Sequence, residues 1–257
     1  MKTNSKSFTS CIISRIGRSL KDEFRRVIRP KFNEAYRYCK GSGLEVGALS
    51  VPYRFSLKTR TVYADVISKE AMRKLLDSLP LDVYSGRLVR PTYILEPPRY
   101  CLAKIPDQSL DFVYSSHSLE HSPNFLFAIS EYLRVVKKGS GVVYSVIPNR
   151  NFTYDCERAV TPPSRIIERF EKEDFSYTLD DALDVVNNTK DHPLYKRGDV
   201  EMAKRMLSDN DGSHHYFVFD HTNLIPLISY IQLCFDATLL YFRAEGSNIH
   251  FCLQRNC

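Results

Sequence analysis

Two carboxylates and one glycine have the types and spacing of a nucleotide-binding site. Glu45 and Gly47 stand two residues apart in the stretch GLEVGALSVPYR, residues 43–54, and Asp65 follows Glu45 by 20 residues. A dinucleotide-binding loop would continue as G-x-G-x-x-G, because three glycines let the backbone cradle a pyrophosphate. No second glycine follows Gly47 in this stretch. The pattern therefore indicates a ligand that needs an acid and one close backbone approach, but no phosphate cradle.

Histidines supply groups that titrate near neutral pH and can move a proton. His117 and His121 lie in the block SSHSLEH, residues 115–121, and the remaining candidates are His192, His214 and His215. For each of them the alternative is a structural role, in packing or at the start of a helix. Glu120 precedes His121 and shares the residue types of a metal site, but two adjacent ligands without a third partner do not define one. No metal ligand is therefore assigned from the sequence, which leaves metal dependence open.

The composition is that of a globular protein. The chain has 257 residues, of which 43% are hydrophobic and 26% charged, enough for one large α/β domain or one domain with an insertion. No apolar run approaches the roughly 20 residues that cross a bilayer. Seven cysteines without a C-x-x-C pair argue against a disulfide framework or a structural zinc site. We expect free thiols and a cytoplasmic location.

Positive charge is concentrated in the first 40 residues. They hold eleven Lys or Arg against three acids, a net charge of +8 within a total of +6. Apolar residues from Ile12 to Ile28 recur at three- and four-residue spacing, which is typical of an amphipathic helix. Residues 1–40 are therefore predicted to be a basic helical arm. It either packs on the main domain or contacts an anionic membrane surface peripherally at the inner face, and no nucleic-acid-binding pattern accompanies it.

From residue 41 onward, short β-rich runs alternate with helical patterns. This order predicts an α/β fold with a doubly wound, mostly parallel seven-stranded sheet and an antiparallel last strand. The predicted strands are 44–48, 61–66, 92–96, 110–116, 141–147, 237–245 and 248–256, and the predicted helices are 68–79, 122–137 and 221–235. Residues 149–213, charged and helical, are predicted to be an insertion after strand 5. An insertion there lies at the carboxyl edge of the sheet, where it can cover a substrate.

Four of these stretches together resemble class I S-adenosylmethionine-dependent methyltransferases. They are LEVGALS, VYADVIS, IPDQSLDFVYSSHSLEH and LRVVKKGSGVVYSVIPN, in this order from residue 44 to residue 149. The segments PNRNFTYDCERAVTP and HHYFVFDHTNL are similar to a subgroup associated with bacterial surface-polysaccharide biosynthesis. The resemblance implies S-adenosylmethionine as cofactor. This ligand has no pyrophosphate, which accounts for the shortened glycine motif.

The resemblance also implies roles for the donor side of the site. Glu45, Gly47 and Ala48 would meet the methionine part of the donor, although Leu49 stands where relatives usually have a glycine. Asp65 would accept hydrogen bonds from both ribose hydroxyls. Glu96 and Leu102 are the candidates beside the adenine. Ser115, Ser116 and His117 would lie near the methionine and the transferring methyl.

On the acceptor side, the resemblance predicts methylation of a saccharide hydroxyl of a surface glycan or of its lipid-linked precursor. A sugar hydroxyl must lose its proton as the new bond forms, so a histidine base is expected. His215 is the first candidate, followed by His121 and His117. Tyr154, Asp155 and Arg158 in the insertion are predicted to bind the substrate. The alternatives are a small metabolite, a quinone precursor or a phosphate as acceptor, or a non-catalytic binding subunit with this fold.

Overall fold

The computed structural model describes residues 34–48, 52–56, 58–66, 68, 70–71, 73, 89–96, 98–190, 196–209 and 214–257. Most of the predicted basic arm and most of the predicted helix 68–79 lie outside these residues, as does His192. Of the arm, the structure describes α1, Glu34–Tyr38. Every helix within the described ranges falls short of the length and apolarity that a bilayer crossing requires.

The described strands form one seven-stranded sheet, as predicted. In chain order they are β1 Ser42–Val46, β2 Arg60–Asp65, β3 Tyr93–Ile94, β4 Phe112–Ser116, β5 Val142–Pro148, β6 Ala237–Glu245 and β7 Asn248–Arg255. The spatial order is β3-β2-β1-β4-β5-β7-β6. The pairs among β1 to β5 are parallel, and β7 runs antiparallel to both β5 and β6.

Both faces of this sheet are covered, which explains its nearly continuous apolar strands. Alternate residues of a strand point to opposite faces. Val113 and Val143 join the main core, and Tyr114 and Tyr144 join a second cluster on the other face. The second cluster includes Ala35 of α1.

The helix after β4 begins later than the sequence predicts. The structure has α2 at Phe125–Val135, and its N-cap is Asn124, whose side-chain oxygen accepts a hydrogen bond from the Phe127 N–H at 3.0 Å. The residue type of Ser122, just before Pro123, predicts a cap at Ser122, but its hydroxyl donates to the carbonyl of Asn124 instead. The preceding residues Leu119–His121 form a 3-10 turn.

The regular elements in the described part of the segment after β5 are all helical. It contains two 3-10 turns, Arg150–Phe152 and Tyr154–Glu157, followed by α3 Pro163–Glu171, α4 Leu179–Asn188 and α5 Val200–Asp209. Helices α4 and α5 pack on each other around a small apolar cluster that includes Val185 and Met206.

Helix α6, His221–Cys234, continues through Pro226, which the sequence predicts to end or kink it. Proline removes one backbone hydrogen bond, but Leu224, Leu227 and Ile228 bury the apolar side of the helix in the main core. Packing therefore outweighs the local preference.

Candidate active site

A sharp turn at Gly47 brings the end of β1 against the segment that follows β4. Gly47 has φ +73°, and its N–H donates to the carbonyl of Ala64 in β2 at 2.9 Å. A Cβ atom at this position would come within 2.8 Å of the Ser118 Oγ. Glycine is required both for the left-handed backbone and for this close approach. The glycine of the predicted motif thus sits at the carboxyl edge of the sheet.

Glu45 is buried just before this turn, with 3% of its surface exposed. Its two carboxylate oxygens accept hydrogen bonds from the Tyr53 N–H at 2.8 and 3.1 Å. Burial raises the pKa of Glu45 to about 8, although the Tyr53 N–H works in the opposite direction. A cation bound beside this group would favour its ionised form.

Asp65 ends the neighbouring strand β2 and is also buried. Its Oδ1 accepts a hydrogen bond from the Val66 N–H at 2.8 Å. Because β1 and β2 are parallel and adjacent, Asp65 lies at the same edge of the sheet as Gly47. The structure therefore brings the donor-side acids and the glycine together, as the sequence spacing predicts.

Two residues proposed for the adenine line one cleft at the end of the sheet. Glu96 is exposed there, whereas Leu102 is buried and extends into the main core. The Leu102 N–H donates to Glu131 Oε2 at 3.0 Å, which anchors this wall to α2. Tyr93 and Lys104 also contribute to the cleft.

The remaining donor-side candidates lie at the ends of β1 and β4. Ala48 is buried next to Gly47, and Ser116 is half-buried at the last position of β4. Ser115 is fully buried, and its hydroxyl donates to Ser145 Oγ at 3.0 Å in the neighbouring strand. The Ser115 hydroxyl therefore links β4 to β5 in this structure.

The three histidines predicted as catalytic surround one buried carboxylate, Glu120. His117 Nδ1 lies 3.6 Å and His215 Nε2 3.9 Å from Glu120 Oε1. The ring centroids of His121 and His215 are 4.8 Å apart. Burial raises the pKa of Glu120, but the nearby imidazoles outweigh burial and lower it. The sequence pairs Glu120 with His121 as residues of a metal-site type, but it does not show that Glu120 is the common neighbour of these rings.

Each of these histidines is held by its second ring nitrogen. His215 Nδ1 lies 2.5 Å from Asp155 Oδ2, His121 Nδ1 lies 3.0 Å from the carbonyl oxygen of His214, and His117 Nε2 lies 2.9 Å from Asn248 Oδ1. His214 itself is buried and stacks on the Tyr177 ring with a centroid distance of 3.9 Å. Its side chain therefore belongs to the packing of the segment.

Two of the candidate substrate residues, Asp155 and Arg158, contact His215 and hold it in place. Asp155 accepts a hydrogen bond from Arg158 at 2.9 Å, and Arg158 also donates to Asp184 at 2.8 Å and to the His215 carbonyl at 3.1 Å. Asp155 and Arg158 are 4% and 3% exposed, so they brace the histidine and do not form an open binding surface. Burial raises the pKa of Asp155, but His215 and Arg158 outweigh it and lower the value to about 2. Tyr154 is half-buried at the start of the same turn.

The family model described as a methyltransferase domain matches residues 40–144, which run from just before β1 to the first residues of β5 and include the donor-side residues. This match supports an S-adenosylmethionine-dependent methyltransferase with S-adenosylmethionine as the methyl donor, in agreement with the sequence prediction. No curated protein matches the sequence.

Three solved structures are similar to this chain. An S-adenosylmethionine-dependent methyltransferase from Methanosarcina mazei is 15% identical, with a TM-score of 0.47, over 88% of this chain and 98% of that one. A putative zinc-dependent alcohol dehydrogenase from Rhodobacter sphaeroides is 14% identical, with a TM-score of 0.50, over 87% and 88%. A putative S-adenosylmethionine-dependent methyltransferase from Methanococcus maripaludis is 11% identical, with a TM-score of 0.46, over 100% and 98%.

Proposed function

We propose that the protein is an O-methyltransferase that acts on a saccharide hydroxyl of a surface glycan or of its lipid-linked precursor. The observation that carries the proposal is the orientation of His215 by Asp155, next to Glu120 and His121. A hydroxyl is a weak nucleophile until its proton leaves, and this cluster provides groups that take up or offset that proton. Methylation of an already nucleophilic sulfur or carbanion would not need such a cluster.

The reaction is an in-line displacement. The acceptor oxygen forms a bond to the methyl carbon while the carbon–sulfur bond breaks, and the sulfonium becomes the neutral thioether of S-adenosylhomocysteine. The proton of the hydroxyl leaves toward the histidine cluster. Because the leaving group is already good, the protein contributes mainly position and orientation of the two reactants.

On the donor side, Glu45, Gly47 and Asp65 are proposed to hold S-adenosylmethionine. Gly47 lets the backbone approach the methionine part, and Asp65 faces the ribose hydroxyls as an acceptor. Glu45 balances the positive charge of the donor. Tyr53, whose N–H donates to Glu45, then lies on one side of the site.

The helical segment after β5 favours a bulky, polar molecule as the methyl acceptor. Its first turns supply Asp155 and Arg158 to the cluster, and its end leads into His215. We propose that an acceptor reaches the cluster along this segment, which carries many charged residues. A saccharide, with its several hydroxyls, can form hydrogen bonds to such residues.

A transfer assay tests the function and the acceptor class. Donor with a labelled methyl group is incubated with the full chain and either a cell-envelope extract or the small soluble metabolites. Label in glycan or lipid-linked saccharide supports the proposal, and label only in small soluble products contradicts it. Replacement of His215 by Ala should lower kcat by about 100-fold or more while donor affinity is retained. His221→Ala, an exposed histidine at the start of α6, is the control that should leave kcat unchanged.

We also propose that residues 1–40 contact an anionic lipid surface at the inner membrane face. The support is their net charge of +8 together with the helical spacing of their apolar residues. The test is co-sedimentation of the full chain with phosphatidylglycerol vesicles and with neutral vesicles. Binding to the anionic vesicles that falls with added salt supports the idea, and equal recovery with both vesicles contradicts it.

A further inference from the structure

We propose that Glu120, His121 and His215 bind one divalent transition-metal ion. One potential ligand atom from each of these residues lies within 4.8 Å of the others. Two imidazoles and one carboxylate are a ligand set that zinc, cobalt and iron(II) accept. The three residues come from two distant parts of the chain, the 3-10 turn after β4 and the segment before α6.

The hydrogen bonds of the two histidines fix which tautomer each ring adopts. His121 Nδ1 faces the carbonyl oxygen of His214, which only accepts, so Nδ1 carries the proton. His215 Nδ1 faces Asp155, a carboxylate that is ion-paired with Arg158 at 2.9 Å, so this Nδ1 also carries the proton. In both rings the lone pair is then on Nε2. For His215 this is the atom that points to Glu120.

These contacts form the outer layer that metal-binding histidines usually have. A ligating imidazole commonly donates its other N–H to a carboxylate or to a backbone carbonyl, which fixes the ring and increases its basicity. His215 has the carboxylate and His121 has the carbonyl. Arg158 and Asp184 hold the carboxylate in turn, with an Arg158–Asp184 distance of 2.8 Å.

Glu120 provides an independent reason for an ion. The residue is 0% exposed, and within the described residues neither of its carboxylate oxygens has a hydrogen-bond partner. The imidazole atoms of His117 and His215, at 3.6 and 3.9 Å, lie beyond hydrogen-bond distance. The imidazoles offset the charge of Glu120 across these distances, and a coordinated cation would in addition satisfy its lone pairs.

The ion would also explain how the site activates a hydroxyl, and this part of the inference rests on the proposed function. Three protein ligands leave at least one coordination position for the acceptor oxygen. Coordination lowers the pKa of a bound hydroxyl, so that its proton leaves at neutral pH. His215 would then act as a ligand; without an ion, the same nitrogen would accept the proton directly.

Direct metal binding by the full chain is the first test. The purified protein is treated with a chelator and titrated with Co²⁺, followed by visible absorption and by calorimetry. We expect one equivalent to bind, and Zn²⁺ to displace it. The variants Glu120→Gln and His121→Asn should each weaken binding by about 100-fold or more, and Asp155→Asn by 10- to 100-fold. His221→Gln, away from the cluster, should bind as the wild type does.

Thermal unfolding distinguishes a variant that has lost a metal ligand from one that binds poorly because it is misfolded. Glu120→Gln keeps the size of the side chain, so its unfolding should remain cooperative, and added Zn²⁺ should raise the melting temperature of the wild type but not that of the variant. The metal site is contradicted if the wild type does not bind Co²⁺. It is also contradicted if Glu120→Gln, His121→Asn and Asp155→Asn all bind Co²⁺ as the wild type does. Metal binding with methyl transfer that is unaffected by a chelator overturns the role of the ion and leaves the proposed O-methylation intact.

Discussion

The Tyr53 N–H donates to both carboxylate oxygens of Glu45, at 2.8 and 3.1 Å, and so ties the loop after β1 back to the strand. Glu45 alternates with Leu44 and Val46, which belong to the main core, and therefore points to the other face of the sheet, toward the cluster that contains Tyr114. Its acid is thus enclosed, and its pKa is raised to about 8. A charged ligand that enters beside Glu45 must change its protonation.

Donor binding should therefore release a proton from Glu45 at pH 7. In the donor-free protein the carboxyl is mostly neutral at this pH, and the positively charged donor favours the carboxylate. Affinity for S-adenosylmethionine should rise by about tenfold between pH 7 and pH 9 and then level off. Calorimetry at pH 7 in buffers of different ionisation enthalpy measures the proton. Ionisation of the donor itself contributes equally to the proton release in the wild type and in Glu45→Gln. A proton release of equal size in the two proteins would therefore contradict the role of Glu45.

The same carboxyl predicts the pH dependence of donor-free stability. Its pKa in the folded protein, about 8, is above the ordinary value of 4.5, so the folded state binds the proton more tightly. This contribution to the free energy of unfolding is complete below about pH 4.5 and is lost as the pH rises to about 8. Urea unfolding at several pH values should show this decline between pH 5 and pH 8. The decline should be smaller in Glu45→Gln, and identical slopes in the two proteins would contradict the prediction.

Gly47→Ala should destabilise the protein through a steric clash as well as through backbone strain. The new Cβ would lie 2.8 Å from Ser118 Oγ and 2.9 Å from Ser118 Cβ. Gly198 is a matched control, because it has φ +81° but nothing within 4 Å of a Cβ. Urea unfolding should show a loss about 1–3 kcal/mol larger for Gly47→Ala than for Gly198→Ala. Equal losses would mean that backbone strain alone requires the glycine, and Ser118→Gly should recover the difference.

Arg158→Met should be strongly destabilising, because it leaves two carboxylates without their cation. The Arg158 side chain is 4% exposed and bridges Asp155 and Asp184. Removing one partner of a buried ion pair costs about 3–5 kcal/mol. Arg165, whose side chain is 54% exposed, pairs with Asp181 and provides the control. In urea unfolding, Arg165→Met should lower the free energy of unfolding by under about 1 kcal/mol. A similar loss for both variants would show that the buried ion pairs of Arg158 contribute no more to stability than an exposed pair does.

The sheet was predictable because buried parallel strands are recognisable as short apolar runs. The terminal hairpin followed from two β-rich runs around Gly246 and Ser247. Local rules were less reliable where tertiary contacts compete with them. Ser122 had the right residue type for a cap, but Asn124 also receives support from the segment after β5, since its side-chain amide donates to the Arg169 carbonyl at 2.9 Å.

The acceptor side of the site was only partly predictable. His117 and His121 share one short block with Glu120, so their proximity could be expected. His215 is 94 residues away from His121 in sequence, and only the path of the helical segment brings it within reach. The supporting role of Asp155 was also hidden, because nothing in the sequence shows that its partner is an imidazole and not a substrate.

Asp65→Asn isolates the contact that Asp65 is proposed to make with the ribose. The amide oxygen of asparagine can still accept the Val66 N–H, which lies 2.8 Å from Oδ1, so the end of β2 should keep its shape. The variant loses the negative charge and one acceptor, and charge-assisted hydrogen bonds contribute about 1.5–3 kcal/mol each. Affinity for S-adenosylhomocysteine should therefore fall by at least about tenfold. Asp180→Asn, an exposed acid in the first turn of α4, should leave this affinity unchanged.

A 2′-deoxy analogue of S-adenosylhomocysteine completes this test, because it removes one hydroxyl from the ligand while the protein is kept constant. The wild type should bind the analogue more weakly than the parent compound, and Asp65→Asn should bind the two with nearly equal affinity. Such non-additivity identifies a direct contact between the two groups. If the analogue loses the same factor of affinity in both proteins, Asp65 does not face the ribose, and its burial at the end of β2 serves the fold alone.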